Sequence, residues 1–165
     1  MAQIGLSDSF NTKQIVNLSA AKQSNIVFYD ALWKQDIEKK PKLRTYRTYK
    51  DTFAQKSYLF MDIPKNQRSL LVHLRTGILP LRIETGRFLD ESEHIRLCIF
   101  CDLQTIKNEI IFGLQCTTYN NLRQHIFGDT LQENDCNSMS FSEQLSFLMN
   151  NKVRQLSKYI YRLHT

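Results

Sequence analysis

The sequence predicts a small, mostly α-helical domain that carries a short cysteine-containing knuckle. Apolar residues recur at steps of three and four over most of the chain, which is the periodicity of one helix face. Glycine and proline are scarce, at five and three residues, and this disfavours a turn-rich β-sandwich or barrel. With 165 residues, 42% of them hydrophobic, the chain can bury one real core but hardly two.

The first part of the chain is predicted to lead into a helix. Residues 1–24 are rich in Ser, Asn, Gln and Ala without clear periodicity, and we expect a weakly ordered lead-in there. A single helical domain then spans residues 25–165. Asn25 is placed to cap the first helix. The apolar residues of this helix recur at helical spacing: Ile26, Tyr29, Trp33 and Ile37.

Pro41 interrupts the first helix, because the residue before a proline disfavours helical geometry. A turn at residues 62–64 precedes a short helix that ends at Gly77, since glycine is common just beyond a helix. Residues 25–92 together form the basic helical part of the domain. Between Pro41 and the turn, aromatic residues return in approximate helical register: Tyr46, Tyr49, Phe53 and Tyr58.

Residues 96–127 are predicted to form the cysteine knuckle and the helix that follows it. Cys98 and Cys101 form a C-x-x-C motif, and Cys116 closes the segment. The arms at residues 97–100 and 109–112 are expected to pair as a small two-stranded ribbon. The next helix follows a Thr cap and shows its apolar face in three residues: Tyr119, Leu122 and Ile126.

The end of the chain has the clearest helical pattern. Residues 128–142 are polar and predict a loop, in which Cys136 is a bystander. The C-terminal helix is predicted over residues 143–163. Its apolar stripe consists of Leu145, Leu148 or Met149, Val153, Leu156, Ile160 and Leu163.

The chain is basic, with a net charge of +6 and a pI near 9.2, and one segment concentrates its basic residues. Between Lys34 and Lys50, seven basic residues stand against two acids. Basic groups contact phosphates and aromatic faces stack on unpaired bases, so this segment suits single-stranded nucleic acid. The alternative is a solvated helix face whose Tyr46 and Tyr49 point into the core. The candidate phosphate ligands are Lys39, Lys40, Lys42, Arg44, Arg47 and Lys50.

Other features disfavour several classes of protein. The sequence contains no nucleophile elbow, no phosphate-binding glycine loop and no tandem carboxylates for magnesium, so we expect neither an enzyme nor a small-molecule substrate. No apolar run is long enough to span a bilayer, and the N-terminus does not resemble a signal peptide. We therefore expect an intracellular protein, cytoplasmic or nuclear and not secreted, whose four cysteines are thiols or metal ligands.

The three clustered cysteines leave two interpretations open. A C-x-x-C turns two thiolates onto one tetrahedral ion, and a third cysteine from a following segment is normal zinc geometry. A structural zinc site has four ligands, however, and no His stands between Cys101 and Cys116. Free cysteines also pack in cores as small hydrophobic residues. Spacing alone does not decide between the two interpretations.

Five segments in a fixed order carry a resemblance to a known family. They are KLRTYRTYKDTF…YLF, LLVHLRTGILPLRIETGRF, RLCIFC, NEIIFGLQCTTYNNLR and a closing LSFLMNN. From Leu32 to the C-terminus, the sequence resembles the C-terminal region of LINE-type (non-LTR) retrotransposon reverse transcriptase polyproteins, which includes a zinc-binding module. The family pattern is Cys-x2-Cys, then a His, then a Cys after four intervening residues. Here Ile111 stands at the His position, while Glu109 and Phe112 match its neighbours.

The resemblance implies a zinc site that lacks its fourth ligand, as in a decayed transposon copy, and we expect this copy to bind zinc weakly or not at all. His94, His125 and Glu109 are the candidates to replace that ligand. We expect the three sulfurs to converge and Ile111 to cap them with apolar surface. The metal ligands that the resemblance implies are Cys98, Cys101 and Cys116.

The resemblance also implies a function. The chain would be a non-catalytic fragment of a reverse transcriptase, since these residues include neither the polymerase nor the endonuclease. Its zinc-knuckle-like module would bind template RNA or target DNA weakly and with strong salt dependence, because phosphate contacts would dominate. The alternative is a helical protein-interaction domain, or a relic open reading frame, that binds neither nucleic acid nor metal.

Overall fold

The computed structural model describes residues 18–132 and 134–164, and over these residues the chain is mostly helical without a β-strand. The predicted fold class is therefore confirmed. The α-helices are α1 (Leu18–Glu38), α2 (Arg44–Tyr49), α3 (Lys65–Arg75), α4 (Arg82–Thr85), α5 (Asn120–Gln132), α6 (Asn134–Asn137), α7 (Phe141–Asn151) and α8 (Val153–His164). Short 3-10 turns lie at Pro41–Leu43, Ser57–Phe60, Gly86–Leu89, Glu93–Ile95 and Thr117–Tyr119, and a π-helical turn lies at Ile111–Gln115.

Helix α8 forms the centre of the core. Its buried residues follow the helical period, and it packs on α3, α5 and α7. Tyr159 of α8 is fully buried, and its ring meets the Phe127 ring of α5 edge-on with the centroids 5.2 Å apart. Within the described residues, no helix is both long and apolar enough to cross a bilayer. The predicted C-terminal stripe is buried at Leu145, Leu148, Met149, Val153, Leu156 and Ile160.

Helix α1 begins earlier than the apolar pattern indicates. Residues 18–24 belong to α1, so the predicted lead-in is wrong there, while residues 1–17 lie outside the described part of the chain. Asn25 lies inside the helix and is not its N-cap. The AAKQ segment of α1 consists of strong helix formers, and this intrinsic propensity extends the helix where periodicity is weak. The helix ends before Pro41, as predicted.

The predicted helical register does not continue from Tyr49 to Tyr58. Helix α2 ends at Tyr49, and Lys50 has extended backbone geometry with φ −118° and ψ 104°. The backbone N–H of Phe53 donates to the Asp30 carboxylate of α1 at 2.7 Å instead of to a helical carbonyl. The chain therefore returns from α2 toward α1 as an irregular segment.

The predicted polar loop at residues 128–142 is mostly helical. Helix α5 continues to Gln132 and α6 follows it. Thr130 and Cys136 are buried, and Leu131 packs against the core, so this segment has an inward face that its polar composition hides. Helix α7 then begins at Phe141, two residues before the predicted start.

A capping box sets the start of α7. The Ser140 hydroxyl accepts a hydrogen bond from the Glu143 N–H at 3.4 Å, and the Glu143 carboxylate accepts one from the Ser140 N–H at 2.8 Å. These two bonds satisfy backbone donors that the first turn of a helix leaves unpaired. Hydrogen bonds from the side chain and backbone of Ser140 also lower the pKa of the Glu143 carboxyl.

The predicted C-terminal helix is two helices, because the chain breaks at Lys152, where φ is −116° and ψ is 39°. The Asn151 side chain donates to the Phe147 carbonyl at 3.1 Å, and the Asn150 side chain donates to the Tyr49 carbonyl at 3.4 Å. Asparagine favours helices weakly because its amide competes for backbone partners. Asn150 and Asn151 therefore weaken the helix just before it breaks.

Helix α3 ends as predicted, at a left-handed glycine. Gly77 has φ +67°, a conformation that residues with a Cβ rarely adopt. A Cβ at this position would lie 2.1 Å from the Lys42 carbonyl oxygen. The missing side chain therefore lets the chain after α3 pass directly against the Pro41–Leu43 turn.

Candidate metal centre

Three cysteine sulfurs converge on one point of the structure. The Sγ atoms of Cys98, Cys101 and Cys116 all lie within 4.8 Å of one another, and those of Cys98 and Cys116 are 3.9 Å apart. Sulfurs that share one tetrahedral ion at a metal–sulfur distance of about 2.3 Å stand roughly 3.5–4 Å apart. The predicted convergence is confirmed, and this cluster, the cysteine centre, could hold a metal ion.

A short hairpin positions the C-x-x-C. Leu97 and Ile106 form an isolated antiparallel bridge, and the Cys98 N–H donates to the Thr105 carbonyl at 2.9 Å. Between these two paired segments the chain reverses direction, and Gln104 in this turn has a positive φ of 47°. The C-x-x-C therefore lies on the first arm of the hairpin and in its turn.

The predicted ribbon is wrong in its second arm. Residues 109 and 110 are α-helical, and residues 111 and 112 already belong to the π-helical turn. Asn108 explains this difference, because its side-chain oxygen accepts hydrogen bonds from the backbone N–H groups of Ile110 and Ile111, each at 3.0 Å. An asparagine that bonds in this way caps the start of a helix.

Cys116 is held at the end of the π-helical turn. Its N–H donates to the Ile111 carbonyl at 2.8 Å, and its carbonyl accepts from Arg123 Nη2 at 2.7 Å. Arg123 is buried and also donates from Nε to the Gly113 carbonyl at 3.2 Å. Its guanidinium satisfies carbonyls that the end of a helical turn leaves unpaired. Arg123 of α5 thus positions Cys116, a role that no sequence pattern signalled.

Ile111 packs into the cysteine centre, as expected. It is buried and belongs to the same apolar cluster as Cys98 and Cys116, with Cys101 and Tyr119 packed against that cluster. An isoleucine cannot coordinate an ion, so Ile111 contributes apolar surface to the cysteine centre and no ligand.

None of the three candidate replacement ligands reaches the sulfurs. Among the described residues, the potential metal-ligand group consists of the three cysteines. His94 and His125 are both exposed. Glu109 is buried, but its two oxygens accept hydrogen bonds from Arg44 Nη2 at 2.8 Å and Thr45 Oγ1 at 3.0 Å. Both oxygens of the Glu109 carboxylate therefore bind residues of α2, and Glu109 has a structural role.

Lys107 adds a buried positive charge beside the cysteine centre. It is only 6% exposed, and its ammonium lies 3.7 Å from the centre of the Phe100 ring, 5.7 Å from that of Tyr119 and 5.9 Å from that of Phe112. Its Nζ also donates to the Tyr119 hydroxyl at 3.5 Å. Burial lowers the pKa of the Lys107 ammonium, while the nearby cysteines raise it. Its burial against these rings was not evident from the sequence.

The two thiols of the C-x-x-C differ in environment. Burial raises the pKa of the Cys98 thiol above its usual value. A backbone hydrogen bond at Leu103 lowers the pKa of the Cys101 thiol. The more exposed Cys101 is therefore the readier thiolate, which is the form that binds metal ions.

The structure divides the predicted phosphate ligands into exposed and partnered groups. Lys39 and Lys40 are exposed, and no described residue forms an ion pair with them. Arg47 pairs with Glu38 at 3.1 Å on the surface. Lys50 is buried, and its ammonium donates to the Ala54 carbonyl.

Lys42 and Arg44 contact buried carboxylates instead of projecting freely. Lys42 lies 3.9 Å from a Glu84 oxygen, and Arg44 bonds at 2.8 Å to both Glu84 and Glu109. Glu84 also lies 3.6 Å from Arg87, three residues further along the chain. Of the tyrosines in the segment, Tyr49 is in the core and Tyr46 is half-buried.

The cysteine centre ties two parts of the chain together. Cys98 and Cys101 belong to the hairpin, whereas Cys116 leads into the Thr117–Tyr119 turn and α5. An ion held by all three sulfurs would cross-link these parts. Comparisons of the chain with models of protein families, with curated proteins and with solved structures find no match.

Proposed function

We propose that the cysteine centre is a structural zinc site in a non-catalytic nucleic-acid-binding module of the kind found in the C-terminal region of LINE-type reverse transcriptases. The observation that carries this proposal is the packing of three convergent sulfurs with Ile111, the residue at the family's His position. Thiolates suit Zn²⁺, and a water molecule would take the fourth position. The ion would stabilise the fold by joining the hairpin to α5.

The charge beside the cysteine centre supports a bound dication. A divalent ion held by three thiolates leaves one excess negative charge, and the Lys107 ammonium supplies one positive charge. Without thiolates, Lys107 would be a buried cation that no described carboxylate pairs with, and such a charge is costly. The charges of three thiolates, one dication and the Lys107 ammonium therefore sum to zero at this site.

Ile111→His is expected to raise both zinc affinity and thermal stability in the presence of zinc. A fourth ligand adds its binding free energy to folding. A tenfold gain in affinity corresponds to about 1.4 kcal/mol, and for a chain of this length to a rise of roughly 3–6 °C in Tm. The measurements are the zinc-to-protein ratio of reduced material and thermal unfolding with and without zinc.

Ile111→Asn is the matched control, because it introduces a polar side chain that is a poor zinc ligand. It should lower Tm without raising zinc affinity. Cys98→Ser should abolish zinc retention in the wild-type background. If Ile111→His and Cys98→Ser both leave zinc content and Tm unchanged, the three cysteines are core residues and the zinc proposal is wrong.

Lys39 and Lys40 are the proposed phosphate ligands, since both are exposed without a described ion-pair partner. Replacing both by Gln is expected to flatten the salt dependence of binding to single-stranded RNA or DNA. The slope of log K against log salt concentration should become shallower by about 0.7–0.9 for each phosphate-binding lysine that is replaced. Fluorescence anisotropy across a salt titration measures this slope.

Lys22→Gln combined with Lys65→Gln removes the same charge at two exposed positions outside the basic segment. This control should leave the slope near that of the wild type. If instead the Lys39 and Lys40 variant keeps the wild-type slope, the phosphate-binding residues lie elsewhere.

A second candidate function is favoured by the surface of α1. Exposed apolar side chains on one helix are typical of protein-binding surfaces. We therefore propose protein interaction through α1 as the alternative, which would be favoured if the wild-type chain shows no salt-dependent binding to nucleic acid. The exposed apolar residues of α1 include Ile26, Val27, Tyr29 and Leu32.

A further inference from the structure

A cleft separate from the cysteine centre opens between α1, α2, α3 and the irregular segment after α2. Its volume is about 500 Å³, within the range of about 300–1,000 Å³ that is typical of small-ligand sites. Among the described residues that line it, none is acidic and none belongs to the cysteine centre. Its aromatic lining consists of Trp33, Tyr46, Phe53 and Tyr58.

The aromatic wall of the cleft is built around Trp33 of α1. The Tyr46 ring meets the Trp33 ring edge-on at a centroid distance of 6.1 Å, and the Phe53 ring lies 6.2 Å away, tilted by 46°. Asp30 holds the backbone of Phe53 and is itself paired with Lys34 at 2.8 Å. Phe53 is 58% exposed, so a ring that enters the cleft beside Trp33 can also reach Phe53.

Lys50 brings a buried positive charge to the cleft. It is 7% exposed, and its ammonium donates to the Ala54 carbonyl and lies 5.9 Å from the centre of the Trp33 ring. No carboxylate among the described residues forms an ion pair with it. Burial lowers the pKa of the Lys50 ammonium, and neighbouring cations lower it further, while Asp51 opposes them as the smallest cause.

Arg75 of α3 adds a second buried cation. It is 2% exposed, and its guanidinium carbon lies 4.3 Å from the centre of the Tyr49 ring and 4.5 Å from that of Tyr58. Its Nη1 donates to the Met149 carbonyl at 2.6 Å, and no described carboxylate pairs with it. Buried charges are normally paired, so the cleft carries positive charge that an anion would compensate.

We propose that this cleft binds a nucleoside phosphate, either as a free nucleotide or as one unpaired unit of a single strand. The base stacks on Trp33 with Phe53 on its other face, and the phosphate is drawn to Lys50 and Lys56, which also lines the cleft. The base covers the aromatic wall, and the phosphate supplies the missing negative charge.

Other classes of ligand would complement either the buried cations or the aromatic rings of the cleft, but not both. An apolar molecule would leave Lys50 and Arg75 uncompensated, and an inorganic anion would leave the aromatic faces uncovered. If the nucleoside phosphate belongs to a single strand, the inference rests on the proposed nucleic-acid binding and deepens it. For a free nucleotide it is independent of that function, because Lys39 and Lys40 do not line the cleft.

Trp33 is the only tryptophan in the chain, so its fluorescence reports on the cleft directly. Adenosine monophosphate is expected to quench this fluorescence with a saturable dependence on concentration. Adenosine should bind about tenfold more weakly, because it lacks the group that contacts the lysines. Inorganic phosphate should displace the nucleotide without quenching by itself. Adenosine that binds as tightly as the monophosphate would overturn the assignment of an anionic ligand.

Two substitutions test the two walls of the cleft. Phe53→Ala removes an exposed ring, and Lys50→Met removes a charge while keeping an unbranched apolar stem. Each should weaken nucleotide binding about tenfold. Phe88→Ala, which removes an exposed ring outside the cleft, should change nothing. Circular dichroism verifies the fold, and Phe53→Ala decides the outcome if Lys50→Met does not fold.

The Lys39→Gln and Lys40→Gln variant should bind the mononucleotide like the wild type, which separates a failure of this inference from a failure of the proposed function. A short oligoadenylate then distinguishes the two sources of ligand. If the oligonucleotide competes with the mononucleotide, and Phe53→Ala weakens this competition, the ligand is a unit of a strand. If the oligonucleotide does not affect mononucleotide binding, the ligand is a free nucleotide. The absence of saturable quenching by both ligands would overturn the inference.

Discussion

Arg44→Met is expected to lower the free energy of unfolding by about 3–5 kcal/mol, the range observed when one partner of a buried ion pair is removed. The Nη1 and Nη2 atoms of Arg44 each lie 2.8 Å from a carboxylate oxygen, one on Glu84 and one on Glu109. Both carboxylates are buried, so the substitution would leave their charges poorly compensated. Urea denaturation monitored by circular dichroism measures the decrease.

Arg47→Met is the matched control on the same helix. Arg47 pairs with Glu38 at 3.1 Å, but the Glu38 side chain is 67% exposed. Exposed pairs contribute about 0–1 kcal/mol, so this variant should be nearly as stable as the wild type. Equal decreases for the Arg44 and Arg47 variants would refute the structural role of the buried pair.

A second substitution separates the two carboxylates. Glu84 keeps Lys42 at 3.9 Å and Arg87 at 3.6 Å when Arg44 is removed, whereas Glu109 keeps only the Thr45 hydroxyl among its described partners. Glu109→Gln in the Arg44→Met background should therefore recover part of the stability, because it removes the less compensated charge.

Gly77→Ala is expected to lower the free energy of unfolding by roughly 2–5 kcal/mol. The left-handed conformation of Gly77 would cost alanine about 1–2 kcal/mol, and the clash of a Cβ with the Lys42 carbonyl about 1–3 kcal/mol more. The clash is with backbone, at 2.1 Å, so a change of side-chain rotamer cannot relieve it. The same urea titration measures the effect.

Gly128→Ala provides a control of opposite sign. Gly128 lies inside α5, and an added Cβ would meet only the Gln124 side chain, at an ordinary contact distance of 3.4 Å. Alanine in a helix interior is favoured over glycine by about 0.5–1 kcal/mol, so this variant should be more stable than the wild type. If Gly77→Ala is as stable as the wild type, the close approach at Lys42 does not constrain the chain.

The helices that bury one continuous face were predictable from the sequence. Val153, Leu156 and Ile160 recur at helical spacing because α8 covers the core with one side. The break at Lys152 was not predictable in this way, because the Asn150 amide bonds to Tyr49, 101 residues away. The capping box at Ser140 was visible as Ser-x-x-Glu and would have corrected the predicted start of α7.

The candidate site was predictable only where spacing or resemblance carried information. The C-x-x-C motif and the later Cys116 indicated one cluster, and the resemblance placed Ile111 beside it. Lys107 was not predictable, because its aromatic neighbours are contributed by different segments. The basic composition of its segment suggested that Arg44 is a surface residue. Its partners, Glu84 and Glu109, lie 40 and 65 residues away in the sequence and could not be identified from it.

Helix α8 has a consequence for how the protein is made. The ribosome synthesises α8 after α3, α5 and α7, the three helices on which it packs. Until Val153 and the residues after it emerge, the apolar surface that those helices bury against α8 stays uncovered, and the nascent chain exposes it to chaperones and to other chains. A translational pause before α8 would lengthen this exposure, and a frameshift before α8 would make it permanent.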